Sequence, residues 1–325
     1  MLRARAGARE RRAALRQGLS SGRLLRFPGA FNALSALLVE ELGFEGIYVS
    51  GAVVSASLGL PDIGLTTISE VAAAGHAVAR VTNLPTLVDA DTGFGGPLNV
   101  ARSVAQLEDL GIAGCHLEDQ VEPKRCGHLE GKSVVEPDEM VARLRAAVES
   151  RRDANFVIGA RTDARATEGI EGAIERLKRY VDAGADLVFP EALADEFEFE
   201  AVRRAIEAPI LANMTEFGKT RLLDRTTLES LGVNVVIYPV TLLRLAMGAV
   251  ESGLRRLKGD GTQAALVPAM QTRSRLYELL DYDSYVTLDS SVGNFSLDAS
   301  EAGETARRAR DEPGQAPGGP GQSAG

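Results

Sequence analysis

Short apolar runs alternate with longer amphipathic runs along most of the chain. Each apolar run has the length of a strand, and each is followed by apolar positions at helical spacing, so the pattern predicts repeated strand–helix units. The predicted strands are 24–28, 46–50, 85–91, 114–119, 156–161, 187–191, 210–215 and 233–238. The predicted helices are 34–42, 69–82, 98–110, 137–151, 170–183, 196–206, 219–231 and 242–257.

Repeated strand–helix units call for a parallel sheet covered by helices, which places the chain in the α/β class. Eight strands with eight helices is the count of a (β/α)₈ TIM-type barrel, and a doubly wound open sheet is the alternative. A helical stretch at 268–280 is left over after the eighth unit. An extra C-terminal helix that is exchanged between subunits would explain it.

The same pattern divides the chain into four predicted segments. An N-terminal arm with a short helix occupies 1–20, the barrel 21–258 and a C-terminal helical extension 259–300. The tail at 301–325 is rich in Gly, Pro, Ala, Gln and Ser and has no apolar periodicity. Such a composition cannot bury a core, so the tail is expected to be disordered.

Polar, glycine and ionisable residues stand at the ends of seven of the eight predicted strands. They are Ser50 with Gly51, Asp89 with Asp91, Glu118 with Asp119, Arg161 with Asp163, Glu191, Asn213 with Thr215, and Tyr238. In a barrel these ends share one rim, where the active site is expected. Asp163 and Thr215 are equally typical of helix N-caps. Two long connections, 51–67 and 120–136, leave this rim and are candidate lids.

The segment 115–132 concentrates the chemistry of the chain. It holds both cysteines, Cys115 and Cys126, and it places His128 and Lys124 close to the second of them. Neighbouring cations favour a thiolate, so the pKa of Cys126 is expected to fall from about 8.5 toward neutrality. Groups that titrate near neutral pH are the most effective proton donors and acceptors. A solvated surface loop is the alternative, and the Cys-Gly-His core beside an acidic strand end favours an active site.

Two aspartates at the end of the third strand form a candidate metal site. Asp89 and Asp91 are two residues apart and therefore share one face of the strand. Carboxylate oxygens suit Mg²⁺, which usually takes one or two protein carboxylates and fills its shell with water and substrate. A turn with capping aspartates is the alternative. Asp62 lies in a Gly-Leu-Pro-Asp segment that is by itself a plain turn signal.

Arginines are the candidate anion-binding groups. Arg161 ends an apolar strand, where a bidentate carboxylate clamp is useful. Arg244 and Arg273 are by spacing alone typical of surface arginines.

Composition narrows the class of partner. A net charge of −9 and the lack of a basic stripe argue against a nucleic-acid partner. No apolar run reaches the length of a membrane span, so no membrane partner is expected. Two cysteines in 325 residues imply no disulfide framework, which favours a reducing, cytoplasmic setting. A small molecule is the expected ligand.

With these residues laid out, the chain resembles the isocitrate lyase/phosphoenolpyruvate mutase superfamily over roughly residues 12–290. The motifs are Tyr-Val-Ser-Gly at 48–51, Leu-Pro-Asp at 60–62, Asp-Ala-Asp-Thr-Gly-Phe-Gly at 89–95, His-Leu-Glu-Asp-Gln at 116–120, Lys-Arg-Cys-Gly-His at 124–128, Gly-Ala-Arg-Thr-Asp at 159–163 and Phe-Pro-Glu-Ala at 189–192. The Lys-Arg-Cys-Gly-His block is the most specific. Together with the compact length, it makes the chain similar to the branch that acts on 2-methylisocitrate.

The resemblance implies a role for each site residue. Mg²⁺, with Mn²⁺ as a second option, is expected at Asp89 and Asp91, with Asp62 and Glu118 in its outer shell. The substrate-binding residues are expected to be Ser50, Gly51, Ala52, Gly127, Arg161, Glu191, Asn213, Thr215, Arg244 and Arg273. The catalytic residues are expected to be Cys126 as proton donor, Tyr48 as base, and Lys124 and His128 as groups that tune the thiol.

The implied reaction is cleavage of a tricarboxylate, 2-methylisocitrate, to pyruvate and succinate in propionate catabolism by the methylcitrate cycle. The implied assembly is a homotetramer. Alternatives on the same barrel are isocitrate cleavage and activity on oxaloacetate or phosphonopyruvate, and a non-catalytic binding protein is the alternative outside enzymes. Cys126, Asp89 and Asp91 are all present and favour the lyase over a barrel that has lost its chemistry.

Overall fold

Strands and helices alternate through most of the computed structural model, which describes residues 4–125, 127 and 131–293. The strands are β1 Leu25–Pro28, β2 Ile47–Val49, β3 Thr86–Asp89, β4 Gly114–Glu118, β5 Val157–Thr162, β6 Leu187–Pro190, β7 Leu211–Asn213 and β8 Val235–Tyr238. The helices are α1 Ala8–Leu19, α2 Ala33–Glu41, α3 Gly51–Ser57, α4 Ile68–Ala79, α5 Pro97–Asp109, α6 Pro137–Ser150, α7 Arg165–Asp182, α8 Glu196–Ala205, α9 Arg225–Ser230, α10 Thr241–Asp260, α11 Arg273–Leu279 and α12 Tyr282–Gly293, with a 3₁₀ helix at Ala264–Ala269.

The eight strands form a closed parallel ring. Strands β2 to β6 pair in chain order, and β8 pairs with both β1 and β7. Parallel bridges from Gly29 to Tyr48 and from Val188 to Ile210 join these two sets at both of their edges. No edge remains for an open doubly wound sheet, so the predicted barrel is confirmed and the alternative is wrong.

Successive side chains along each strand point to opposite faces of the barrel sheet and so form two buried layers. Tyr48 and Leu87 belong to an inner cluster within the ring, together with Phe27 and Phe189. Their strand neighbours, such as Val88, belong to a larger cluster between the strands and the surrounding helices. Because both faces are buried, the strands read as continuous apolar runs.

The predicted elements agree with the observed ones apart from a few places. The connection 51–67 contains α3, and only Arg225–Ser230 is helical within the predicted helix 219–231. The C-terminal stretch is a 3₁₀ helix followed by α11 and α12, instead of one helix at 268–280. Pro268 lies inside the 3₁₀ helix, and its missing N–H disfavours an α-helix there.

The chain divides into two units between Met270 and Gln271. The first unit contains the barrel, and the described part of the second contains α11 and α12. The predicted tail at 301–325 lies outside the described residues. None of the described helices is both long and apolar enough to cross a membrane. Exchange of the C-terminal helices between subunits stays a prediction.

Candidate active site

A cavity of about 240 Å³ opens at the C-terminal ends of the strands. Its lining contains most of the residues that the sequence singles out: Tyr48, Ser50, Ala52, Asp62, Asp89, Glu118, Lys124, Gly127, Arg161, Glu191, Asn213, Thr215 and Arg244. Gly51 adjoins the cavity, since its amide N–H donates to Oδ2 of Asp89 over 3.2 Å. Arg273 is the first residue of α11 and belongs to the second unit. Cys126 and His128 lie outside the described residues.

A buried lysine neutralises two aspartates at this end of the barrel: Asp62 lines the cavity, whereas Asp91 is buried outside its lining. Nζ of Lys124 lies 2.8 Å from Oδ1 of Asp91 and also donates to Oδ1 of Asp62. Burial works against the charged ammonium, but Asp91 and Asp89 raise the pKa of Lys124 above its usual value. Burial and the charge of Asp89 raise the pKa of Asp91 to about 7. Lys124, which was predicted to lie beside the thiol of Cys126, therefore also serves as the counter-ion of a carboxylate cluster.

The carboxylates around this cluster fit a hydrated divalent cation. Oε1 of Glu118 is buried and accepts no hydrogen bond from any described residue. Burial also raises the pKa of Glu118 well above its ordinary value. A metal-bound water is a donor of the kind that this oxygen lacks. Within the described residues, no three His, Cys, Asp or Glu side chains converge closely enough to hold a metal directly. Mg²⁺ with one or two protein carboxylates and several waters matches this arrangement.

Tyr48 and His116 form a buried pair on the floor of the cavity. The phenolic oxygen lies 2.7 Å from Nε2, and the two rings are stacked with centroids 5.8 Å apart. Burial lowers the pKa of His116 to about 4, so the imidazole is neutral at pH 7. Burial and Asp89 raise the pKa of Tyr48 well above 10, which keeps the phenol protonated at neutral pH. No role was predicted for His116 from the sequence; the structure places it on β4, paired in register with Asp89 of β3.

Arg161 lies among carboxylates and against an aromatic ring. Its Nε is 3.0 Å from Oδ2 of Asp163 and 3.3 Å from Oε2 of Glu118, and its Nη1 is 3.5 Å from Oε2 of Glu191. The guanidinium carbon lies 5.1 Å from the ring centroid of Phe189. These contacts fix the arginine as a cation on one wall of the cavity.

Gly127 packs directly onto this arginine. A Cβ at Gly127 would lie 2.3 Å from Nη2 of Arg161 and 2.6 Å from Cγ of Glu191. Both distances are far below van der Waals contact, so the close approach requires glycine. Lys132 reaches the same place, since its Nζ donates to the carbonyl of Gly127 and lies 2.8 Å from Oδ1 of Asp163.

Asp163 and Asp119 have structural roles that the sequence did not reveal. The N-cap of α7 is Ala164, so Asp163 is not the predicted cap, and its carboxylate instead binds Arg161 and Lys132. Asp119 accepts from the Thr162 hydroxyl over 2.6 Å and from the amide of Asp163 over 2.9 Å. Lys132 and Asp119 are far apart in sequence from Asp163, so only the folded rim brings them together.

Another wall of the cavity is formed by the residues after β7 and at the start of α10. Nη1 of Arg244 donates to Oε2 of Glu216 over 2.7 Å and to the hydroxyl of Thr215 over 3.3 Å. Thr215 is therefore an acceptor for arginine, with no capping role at a helix. Arg161 and Arg244 thus present two cations to one cavity that also has a metal-type carboxylate cluster.

The chain is similar in sequence to known proteins over most of its length. The sequence pattern of the phosphoenolpyruvate phosphomutase family matches residues 15–258. A probable 2-methylisocitrate lyase 2 of Corynebacterium glutamicum is 60% identical over 290 residues, which are 89% of this chain and 94% of that protein. A 2-methylisocitrate lyase of Escherichia coli K12 is 45% identical over 274 residues, 84% of this chain and 93% of that protein.

Solved structures show the same fold. The crystal structure of a 2,3-dimethylmalate lyase superposes with a TM-score of 0.83 at 33% identity, covering 90% of this chain and 98% of that one. A phosphonopyruvate hydrolase in complex with oxalate and Mg²⁺ superposes with a TM-score of 0.79 at 29% identity, covering 86% and 98%.

Proposed function

The chain belongs to the phosphoenolpyruvate phosphomutase family, within the isocitrate lyase superfamily, and we propose that it cleaves 2-methylisocitrate to pyruvate and succinate with Mg²⁺. The observation that carries the proposal is the pairing, in one cavity, of a carboxylate cluster suited to a hydrated cation with two arginines. A tricarboxylate with a hydroxyl group needs both. Identity of 60% to a probable 2-methylisocitrate lyase supports this substrate.

Asp89 and Asp91 would hold Mg²⁺, with Glu118 and Asp62 in contact with its water. When bound, the ion supplies Lewis-acid polarisation of a hydroxyl and carboxylate. Lys124 holds Asp91 and Asp62 in place through its ammonium group. This counter-ion limits the repulsion between carboxylates before the cation arrives.

The carbon–carbon cleavage needs a base at the substrate hydroxyl. Tyr48 lines the cavity, and its phenolic oxygen lies 2.7 Å from Nε2 of the neutral His116. As the phenolic oxygen takes the hydroxyl proton, its own proton would pass to Nε2 of His116, so that the pair acts together as the base. Loss of the hydroxyl proton lets the adjacent carbon–carbon bond break, so that pyruvate leaves and the electron pair stays on the succinate fragment. Arg161 and Arg244 stabilise the negative charge that builds up on that fragment.

Protonation of the succinate carbon completes the reaction. Cys126 is the proposed donor, because its neighbour Gly127 lies against Arg161 and Glu191 at the cavity wall. Phe189 and Pro239 are the proposed apolar contacts for the substrate methyl group, since both line the cavity. An alanine scan of these two positions that left the ratio of methylisocitrate to isocitrate turnover unchanged would reject that assignment.

The proposal is tested by measuring pyruvate release from 2-methylisocitrate against glyoxylate release from isocitrate, for wild type and Cys126→Ser. We expect rapid pyruvate release that the serine substitution lowers by at least about 100-fold. No turnover of either substrate would reject the lyase, and oxaloacetate and phosphonopyruvate would be assayed next. Faster glyoxylate release would instead assign isocitrate as the substrate.

The homotetramer, the exchange of C-terminal helices and the cytoplasmic setting stay predictions. Light scattering after size exclusion measures the assembly. A chain shortened before α11 that remained tetrameric would reject helix exchange as its basis.

A further inference from the structure

Arg244 is held from two sides by the segment that follows β7. Its Nη1 donates to Oε2 of Glu216 over 2.7 Å and to the carbonyl of Glu216 over 2.8 Å. Its guanidinium carbon lies 5.3 Å from the ring centroid of Phe217. The other carboxylate oxygen of Glu216 accepts a hydrogen bond from Thr241, one turn before Arg244 on α10. Glu216 is thus fixed at both oxygens, and it fixes the arginine in turn.

The hydrogen bonds of Arg244 leave one edge of its guanidinium, Nε with Nη2, available for a ligand. All those made by Arg244 to described residues run through Nη1, so Nε and Nη2 can still bind a second carboxylate side by side. A substrate carboxylate therefore does not have to displace Glu216. The side chain of Arg244 is 39% exposed, and an unheld arginine at such a place would lose considerable rotamer freedom on binding.

Phe217 has an unusual backbone and an unusual exposure. Its φ is +61°, which is uncommon for a bulky residue, and it is 96% exposed at a position that lines the cavity. Neither feature is explained by burial in a core. The backbone conformation is explained if it holds the ring near the face of the Arg244 guanidinium, because strained residues persist where they serve a site.

We propose that Glu216 and Phe217 are positioning residues that hold Arg244 ready for one carboxylate of the substrate. The inference rests on the proposed function, which gives Arg244 its ligand, and it assigns a role to two residues that do not themselves react. Thr215 and Thr241 complete the arrangement as hydrogen-bond partners.

The test uses Glu216→Gln and Phe217→Leu in the full chain. Each variant is expected to raise the KM for 2-methylisocitrate about tenfold while kcat stays within about twofold, because the arginine must then be ordered by the substrate. Glu229→Gln is the matched control, since Glu229 pairs with Nε of Arg225 over 2.7 Å on the surface helix α9. The control is expected to leave both constants unchanged.

A double-mutant cycle separates positioning from a general structural effect. Glu216→Gln is expected to raise KM in the wild-type background and to add little in an Arg244→Gln background, because the two residues then share one role. Equal effects in both backgrounds would overturn the inference. A lower KM in Glu216→Gln would also overturn it, since Glu216 would then compete with the substrate for Arg244.

Succinate binding, measured by calorimetry with Mg²⁺ present, gives a readout that needs no turnover. The Kd for succinate is expected to rise about tenfold in Glu216→Gln and not in Glu229→Gln. If Glu216→Gln weakens succinate binding as expected but the wild type cleaves no tricarboxylate, the proposed function fails and the positioning role stands. If the wild type cleaves 2-methylisocitrate and Glu216→Gln changes neither the Kd nor the KM, the positioning role fails alone.

Discussion

The phenolic oxygen of Tyr48, which lines the cavity, lies 2.7 Å from Nε2 of His116, and both side chains are buried. Phe189 packs edge-on against the imidazole, with ring centroids 5.2 Å apart. The imidazole can therefore neither turn freely nor exchange its partner for water. This holds the phenolic oxygen in a fixed position, which the proposed proton transfer at the substrate hydroxyl requires.

Tyr48→Phe is expected to lower kcat by at least about 100-fold, because the substitution keeps the ring and removes the hydroxyl that we propose exchanges the proton. His116→Gln is expected to have a smaller effect on kcat, since glutamine still offers a polar partner to the phenol. Steady-state pyruvate release measures both. Tyr238→Phe, outside the cavity lining, is the control, and a loss of similar size there would contradict the assignment.

Asp163 is expected to make folding stability depend on pH in the acid range. Burial opposes its ionisation, but the charges of Arg161 and Lys132 lower the pKa of Asp163 to about 2. The pKa in the folded state is thus below the value of about 3.9 in the unfolded chain. The unfolded state therefore takes up the proton first, and the stabilisation that is present above about pH 4 is lost as pH falls toward 2.

Guanidinium unfolding between pH 2 and pH 5 measures this contribution. Lys132→Met removes one cation and is expected to raise the pKa of Asp163, so that the loss of stability begins at higher pH. Asp138→Asn is the control, because the side chain of Asp138 is 89% exposed and pairs with Arg179 on the surface. An unchanged pH profile in Lys132→Met would contradict the role of the Lys132–Asp163 pair.

Cys115 is expected to be unreactive in the folded protein. It is fully buried in β4, and burial with the charge of Asp89 raises the pKa of its thiol to about 12. In Cys126→Ser, where Cys115 is the remaining cysteine of the sequence, a thiol reagent at pH 8 is expected to label nothing before unfolding and one thiol after it. Labelling of the folded variant at the rate of a free thiol would show that this strand opens.

The barrel could be predicted because it depends on local patterns, whereas parts of the rim could not. Each strand is a short apolar run with polar residues at its end, and both features are visible in the sequence. The contact of Lys124 with Asp62 is not visible in the sequence. It depends on the conformation of the connection 120–136, in which Gln120 forms an antiparallel bridge with Val134. Helix α3 was missed because Val53 and Val54 favour extended structure as strongly as helix.

Glu216 was missed for a related reason. A glutamate in a polar segment is typical of a solvated loop, and nothing in its spacing points to Arg244, which lies 28 residues further along the chain. The strand-end residues could be found because the barrel brings all strand ends to one rim. Contacts made by the connecting segments depend on loop conformation, which apolar periodicity does not encode.

Removal of the divalent metal is expected to abolish activity reversibly and to lower thermal stability. Because ligands that bind only the folded state stabilise it by mass action, Mg²⁺ should raise the Tm of the wild type in a concentration-dependent way. Asp89→Asn is expected to remove that rise, since Asp89 is the carboxylate that lines the cavity beside Gly51. Glu118→Gln is expected to weaken the apparent Mg²⁺ affinity about 10–100-fold, as substitutions around a metal-bound water commonly do.

Thermal melts across a Mg²⁺ titration, after treatment with EDTA, measure these effects without substrate. Glu175→Gln is the control, because Glu175 pairs with Lys178 on the exposed face of α7. Among the described residues no donor reaches Oε1 of Glu118, and a buried acceptor without a donor is costly. A metal-bound water would remove that cost, so Glu118→Gln is the most direct test of the proposed site. If Asp89→Asn responded to Mg²⁺ with the midpoint of the wild type, the cation would bind elsewhere and the carboxylate cluster would need only Lys124 as its counter-ion.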